Sequence, residues 1–145
     1  MREIIFRGKR VDNGEWVYGA YCAYDSKFDY CKDQFEPNVV YAPSIIAYDD
    51  GCLWYRVDLA TVGQYTGLTA NDKRIFEGDI VNGLFLFERP IAGVVTFRDG
   101  SFGVRWMRGR VEEFSAFTSC CNVAWEVIGN IADNPELLEG GVNDG

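Results

Sequence analysis

The sequence predicts an all-β (mainly β) chain of twisted, irregular antiparallel sheets and hairpins, partly barrel-like, with a short C-terminal helix. Three observations carry this. Asx-Gly pairs at Asn13-Gly14, Asp50-Gly51 and Asp99-Gly100 mark turns that need positive φ. Aromatic and β-branched residues fill the intervals between turns. Helical spacing is sparse along the chain. Apolar residues make up 48% of the 145 and aromatics 15%, enough for a packed core rather than a disordered chain. One domain over residues 1–139 with a frayed tail at 140–145 is expected.

Taken in order, Asn13-Gly14 suggests a hairpin between Ile4–Lys9 and Trp16–Cys22. A two-residue turn there would set Lys9 against Tyr18 and mix the faces, so a bulge or longer loop is the alternative. Tyr24–Pro37 is polar and aperiodic and reads as a long loop. Asp50-Gly51 suggests a hairpin with Tyr48 against Leu53 and Ile46 against Tyr55. Asp79–Phe87 reads as a strand. Gly93–Trp106 is the clearest unit: a type I′ turn at Asp99-Gly100 pairs Arg98 with Ser101, Phe97 with Phe102, Val95 with Val104 and Gly93 with Trp106. The apolar members then share one face, and Thr96, Arg98 and Arg105 share the other. A slip by one residue would scramble that separation. Val111–Cys121 is ambiguous, because Val111, Phe114, Phe117 and Cys121 have helical spacing in an aromatic-rich segment. Trp125–Ile131 is the last strand, with Gly129 marking a bulge or a crossing. Asn134 is placed to cap a short helix with Pro135 at its first position, running to Leu138 or Glu139.

Charge and chemistry narrow the function classes. A formal net charge of −8 repels phosphate backbones and anionic membranes, so nucleic-acid binding would need a local basic patch. The chain has no histidine, which excludes Cys–His and Ser–His nucleophiles. Five cysteines (Cys22, Cys31, Cys52, Cys120, Cys121) are odd in number and irregular in spacing, which fits reduced thiols in a cytosolic chain better than zinc knuckles or a disulfide framework. No cofactor motif, metal-ligand spacing, signal peptide or membrane-length apolar run stands out.

Three groups are candidate sites. Glu77 and Asp79, two apart, would share a strand face and could divide acid and base roles; a turn with solvated carboxylates is the stronger reading. Tyr65 and Thr66, between Gly63 and Gly67, could project from a surface loop, although a core tyrosine is favoured. Arg98, Arg105, Arg108 and Arg110 form the one basic cluster with an aromatic neighbour, a candidate contact for nucleic acid or a partner. Trp106, however, falls on the opposite face, and Glu112 and Glu113 follow at once. No catalytic residue and no metal ligand is assigned.

Several segments together resemble the YopX-like proteins of phages and prophages: Phe6-Arg7-Gly8-Lys9 with Gly14-Glu15-Trp16-Val17-Tyr18-Gly19; Val62-Gly63-Gln64-Tyr65-Thr66-Gly67-Leu68; Ile75-Phe76-Glu77-Gly78-Asp79-Ile80-Val81; and Glu126-Val127-Ile128-Gly129-Asn130-Ile131 with Asn134-Pro135-Glu136-Leu137-Leu138. The resemblance implies a β-rich fold, a phage or prophage origin in a bacterial host and self-association, and it supplies no catalytic residues. The expected function is therefore a non-enzymatic interaction module without a cofactor. Its expected partners are its own copies and a phage or host protein. Nucleic-acid binding through the arginine face is second, and a membrane role is not expected.

Overall fold

A computed structural model describes residues 3–27, 38–47, 51, 53–84, 91–117 and 124–139. The chain is mainly β, with eleven strands and one short helix among the described residues. It divides into two compact units: Ile4–Val62, and Gly63–Gly145 with Met1–Glu3.

In the first unit, β1 (Phe6–Lys9), β2 (Trp16–Lys27), β3 (Asn38–Ala47) and β4 (Leu53–Arg56) lie in the order β4-β3-β2-β1, each antiparallel to its neighbour. The first hairpin takes the longer-loop alternative. The Arg10 N–H donates to the Glu15 carbonyl, the Gly14 N–H donates to the Arg10 carbonyl, and Asn13 Oδ1 accepts from the Glu15 N–H, each at 2.9 Å. Gly14 takes the left-handed position at φ 71°. Lys9 therefore opposes Trp16, not Tyr18, and Arg7 opposes Tyr18.

The segment 24–37 is not wholly loop. Residues 24–27 continue β2 and pair with 38–41 beyond a bulge between Cys22 and Tyr24; residues 28–37 lie outside the described residues. Gly19 explains how closely β2 and β3 run, because a Cβ there would fall 1.8 Å from the Ile46 carbonyl oxygen.

The β3–β4 register differs by one residue from expectation. Ile45 faces Tyr55, and Ala47 faces Leu53. Five residues separate the last pair where four were expected, and Gly51 among them stands at φ 71°. The shift makes Ile45, fully buried, the partner of Tyr55 in place of Ile46. Tyr48 and Asp50 of that expected turn lie outside the described residues. Beyond β4, Arg10 forms an isolated antiparallel bridge with Val57, and the Asp58 N–H donates to the Lys9 carbonyl at 2.9 Å. This ties the end of β4 to the end of β1 but stops short of a closed barrel.

The second unit begins with a hairpin absent from the sequence expectations. Its strands are β5 (Gly63–Ala70) and β6 (Lys73–Phe76), joined by Asn71 and Asp72 at φ 50° and 64°. Five further strands follow: β7 (Asp79–Leu84), β8 (Ile91–Arg98), β9 (Ser101–Arg108), β10 (Val111–Ala116) and β11 (Ala124–Asn130), in the order β10-β9-β8-β7-β11. The β8–β9 hairpin has the expected register throughout, with Asp99 and Gly100 at φ 50° and 81°. Val111–Ala116 is a strand, so the helical spacing there is coincidental; Gly109 at φ 64° opens the turn before it. Residues 85–87 and 118–121 of the expected segments, and the tail 140–145, lie outside the described residues.

Ile75, Val81, Val95 and Val104 form this unit's core, flanked by Trp106, Phe117, Trp125 and Val127. Each fully buried aliphatic side chain contributes about 1.5–3 kcal/mol. Phe97 differs from its face-mates: at the hairpin tip it is 52% exposed and rests edge-on against Phe102 at 5.0 Å.

At the end of β11 both readings of Gly129 hold. The register shifts between Val127 and Gly129, and a Cβ on Gly129 would meet Asn134 Oδ1 at 2.7 Å and Leu137 Cδ1 at 2.8 Å. The helix α1 is Glu136–Glu139. Asn134 does not cap it with its side chain. Oδ1 turns back to accept from the Asn130 N–H at 3.3 Å, while the Asn134 carbonyl accepts from the Leu137 N–H.

Candidate interaction surfaces

The turn Glu77-Gly78, between β6 and β7, is held at every position. Asp79 is 2% exposed, and its Oδ2 accepts from the Phe76 N–H at 2.8 Å. Glu77 Oε1 accepts from the Gln64 N–H at 3.0 Å, and the Glu77 N–H donates to the Gln64 carbonyl at 2.9 Å. Gly78, at φ 86°, donates its N–H to the Val95 carbonyl and accepts from the Ile131 N–H, both at 2.9 Å. Neither carboxylate is a solvated turn group. Each uses an oxygen on a backbone amide, which joins β5, β6 and the strand that follows.

Tyr65 and Thr66 lie on strand β5, not on a surface loop, and each is only 8% exposed. The Tyr65 ring packs on Phe76 at 5.5 Å, and Thr66 Oγ1 donates to the Ile75 carbonyl at 2.8 Å. The Val62–Val81 signature thus builds a hairpin buried at its base, with an exposed tip, and its exit turn, and it exposes none of the four predicted loop-site groups as a cluster.

The arginine face is present in part. Register places Arg98, Arg105, Glu112 and Phe114 on one face of β8, β9 and β10. Glu112 Oε1 lies 3.3 Å from Arg105 Nη1 and 3.7 Å from Arg98 Nη2, so one carboxylate serves both guanidinium groups. Arg98 also sits 5.4 Å from the Phe114 ring centroid. That ring covers Gly103, where a Cβ would stand 2.7 Å from Phe114 Cζ. Arg108 and Arg110 are exposed at the β9–β10 turn. Trp106 lies on the core side, as its register requires, and its Nε1–H donates to Ser115 Oγ at 3.0 Å.

A cation–aromatic face that sequence reasoning did not single out lies on β1 and β2. Arg7, Lys9, Trp16 and Tyr18 share it by register. The Arg7 guanidinium is 4.6 Å, and Lys9 Nζ 5.4 Å, from the Trp16 ring centroid. The signal was the alternation Arg7-x-Lys9 and Trp16-x-Tyr18, which shares one face in the expected register and in the observed one. Nearby, Arg10 stacks on Tyr55 at 4.2 Å and hydrogen-bonds Asp12, Nε to Oδ1 at 2.9 Å. That hydrogen bond holds the Asp12 carboxyl below its usual range and raises Arg10.

Exposed apolar side chains are spread over both units, and some lie on strands. Leu53 and Trp54 on β4 are 52% and 55% exposed, and Met107 and Val111 flank the β9–β10 turn at 51% and 61%. Among the described residues no group of three or more Cys, Asp or Glu is placed to hold a metal, and no helix is long and apolar enough to cross a membrane.

Comparison with curated proteins finds no match. A family described as YopX protein matches residues 5–139, which takes in both compact units and every signature segment above. The chain belongs to the YopX protein family.

Proposed function

We propose that this YopX-family chain is a phage- or prophage-derived, non-enzymatic interaction module. It acts in the bacterial cytoplasm by assembling with copies of itself and with a phage or host protein. The observation that carries the reading is the exposure of Leu53 and Trp54 on the edge strand β4 and of Val111 on the edge strand β10. Open sheets must pair or cover such edges. The signature carboxylates favour the same reading, because Glu77 and Asp79 are engaged with backbone amides. Sedimentation velocity over a wide concentration range tests it. Mass rising with concentration supports the module, and a strict monomer of 16.4 kDa at the highest concentration removes self-assembly.

Nucleic-acid binding through Arg98, Arg105, Arg108 and Arg110 ranks second. The exposure of Arg108 and Arg110 favours it, and the shared Glu112 opposes it. Anisotropy of labelled duplex and single-stranded DNA and RNA decides: salt-sensitive binding that survives physiological salt would replace the leading reading.

A further inference from the structure

We propose that Asn13-Gly14 is a self-modification site. There the Gly14 backbone nitrogen displaces ammonia from the Asn13 side chain, and water then leaves an aspartate or an isoaspartate in the first hairpin loop.

The reaction is intramolecular and consumes only water. The Gly14 nitrogen gives up its proton and bonds to Asn13 Cγ. The Cγ–Nδ2 bond breaks, and Nδ2 takes up the proton and leaves as ammonia. The cyclic imide that results holds the former Gly14 nitrogen between Cγ and the main-chain carbonyl carbon of Asn13. Water then opens either carbon–nitrogen bond. Opening at Cγ gives aspartate with the main chain unchanged. Opening at the main-chain carbonyl gives isoaspartate, whose backbone runs through Cβ and Cγ. A following glycine suits ring closure, because it has no Cβ to crowd the attacking nitrogen.

The chain has two Asn-Gly pairs, Asn13-Gly14 and Asn82-Gly83, and the fold treats them oppositely. Residues 11–15 are all exposed. A Cβ on Gly14 would meet nothing within 4 Å, so the imide and the incoming water both have room. The Glu15 N–H donates to Asn13 Oδ1 at 2.9 Å. That bond folds the side chain back over the Gly14 peptide. It also sets a donor on the oxygen that gains negative charge as the nitrogen adds. The Gly14 N–H donates to the Arg10 carbonyl, so attack begins with the opening of that bond. The bond lies in the loop beyond the Lys9–Trp16 pair, and it opens while the β1–β2 ladder stays intact. Asn82-Gly83, in contrast, lies within β7, an inner strand of its sheet. Asn82 faces Ala92 on one side and Glu126 on the other; Gly83, which is buried, faces Ile91 and Trp125. Ring closure there requires the strand to leave both neighbours.

The two products differ in what they do to the hairpin. Aspartate keeps an oxygen for the Glu15 amide. Isoaspartate moves the carboxylate and adds a methylene to the main chain of the loop that sets Lys9 against Trp16. Either product makes the chain one charge more negative than −8.

The test is to incubate the full folded chain for days at mildly alkaline pH, where amide proton loss is faster. Samples are digested at acidic pH, and both Asn-Gly peptides are followed by mass spectrometry. The same chain unfolded in urea gives the baseline, in which the two identical dipeptides convert alike. In the folded chain Asn13 should convert more than about tenfold faster than Asn82, and a more acidic species should grow on anion exchange. Asn13→Gln sets the side-chain carbonyl one methylene farther from the Gly14 nitrogen and should remain a single charge species. Asn13 retained in the folded chain as long as Asn82, or an unchanged acidic species from Asn13→Gln, overturns the proposal.

Discussion

Asp79→Ala should be among the most damaging single changes to a surface-adjacent residue in this chain. The carboxylate is 2% exposed, and its Oδ2 receives the buried Phe76 N–H at 2.8 Å. Removal orphans that donor in a site closed to water, at a cost of about 1–3 kcal/mol. The lost bond was charge-assisted, which moves the expectation to the upper half of that range, about 2–3 kcal/mol. For a chain of this size that corresponds to a melting temperature lower by roughly 6–12 °C. Asp79→Asn keeps an acceptor of the same shape and loses only the charge, so it should fall less, by about 1 kcal/mol. Urea unfolding followed by tryptophan fluorescence measures both variants on one scale. Asp79→Ala within about 0.5 kcal/mol of wild type, or Asp79→Asn as damaging as Asp79→Ala, would falsify the view that this carboxylate serves the Phe76 amide.

Gly19→Ala places a Cβ 1.8 Å from the Ile46 carbonyl oxygen, a backbone atom that cannot rotate away. It should cost more than about 3 kcal/mol, read as loss of the cooperative thermal transition. Trp16→Leu keeps apolar bulk but removes the ring that Arg7 and Lys9 both approach; a loss of about 1–2 kcal/mol is expected in urea, and an unchanged midpoint would show that the cations do not depend on the ring. Glu112→Gln releases Arg98 and Arg105 from their shared carboxylate. Because exposed bridges are worth about 0–1 kcal/mol, stability should barely move, while affinity for a labelled oligonucleotide at low salt should rise if those arginines can reach phosphate; no rise retires the nucleic-acid reading of that face.

Legibility in the sequence tracked how local the determining physics was. The β8–β9 hairpin was readable to the residue because one turn, Asp99-Gly100, and one apolar alternation specify the same register. At Asn13-Gly14 the dipeptide marks the turn, but Asn13 binds the Glu15 amide and lengthens the loop to residues 11–14. That side-chain choice moved Lys9 from Tyr18 to Trp16, a shift of two that leaves Arg7, Lys9, Trp16 and Tyr18 on one face and sets Lys9 directly opposite the indole. The one-residue error in β3–β4 also lies in loop length, five residues between the last pair in place of four. The Asn71-Asp72 turn was overlooked because it lacks glycine, although both residues tolerate positive φ. The candidate sites were harder still. Whether Glu77 and Asp79 face water or backbone amides depends on where Gln64 lies, 13 residues earlier, and no local pattern reports that. Glu112 was visible beside the arginines, but its position between Arg98 and Arg105 follows from the pairing of three strands.

The Gly78 peptide has a consequence for how this chain comes to be folded. Its carbonyl waits for the amide of Ile131, 53 residues further along, and its N–H for the carbonyl of Val95. During synthesis the signature turn therefore emerges long before the groups that complete it. Closure depends on contacts distant in sequence, which form slowly because loop entropy must be spent first. A nascent chain halted before residue 131 would present that turn with an unmet acceptor, so the second unit commits to its structure only once residue 131 has been made. Destabilising changes at the turn should accordingly act mostly on the rate of unfolding rather than of folding.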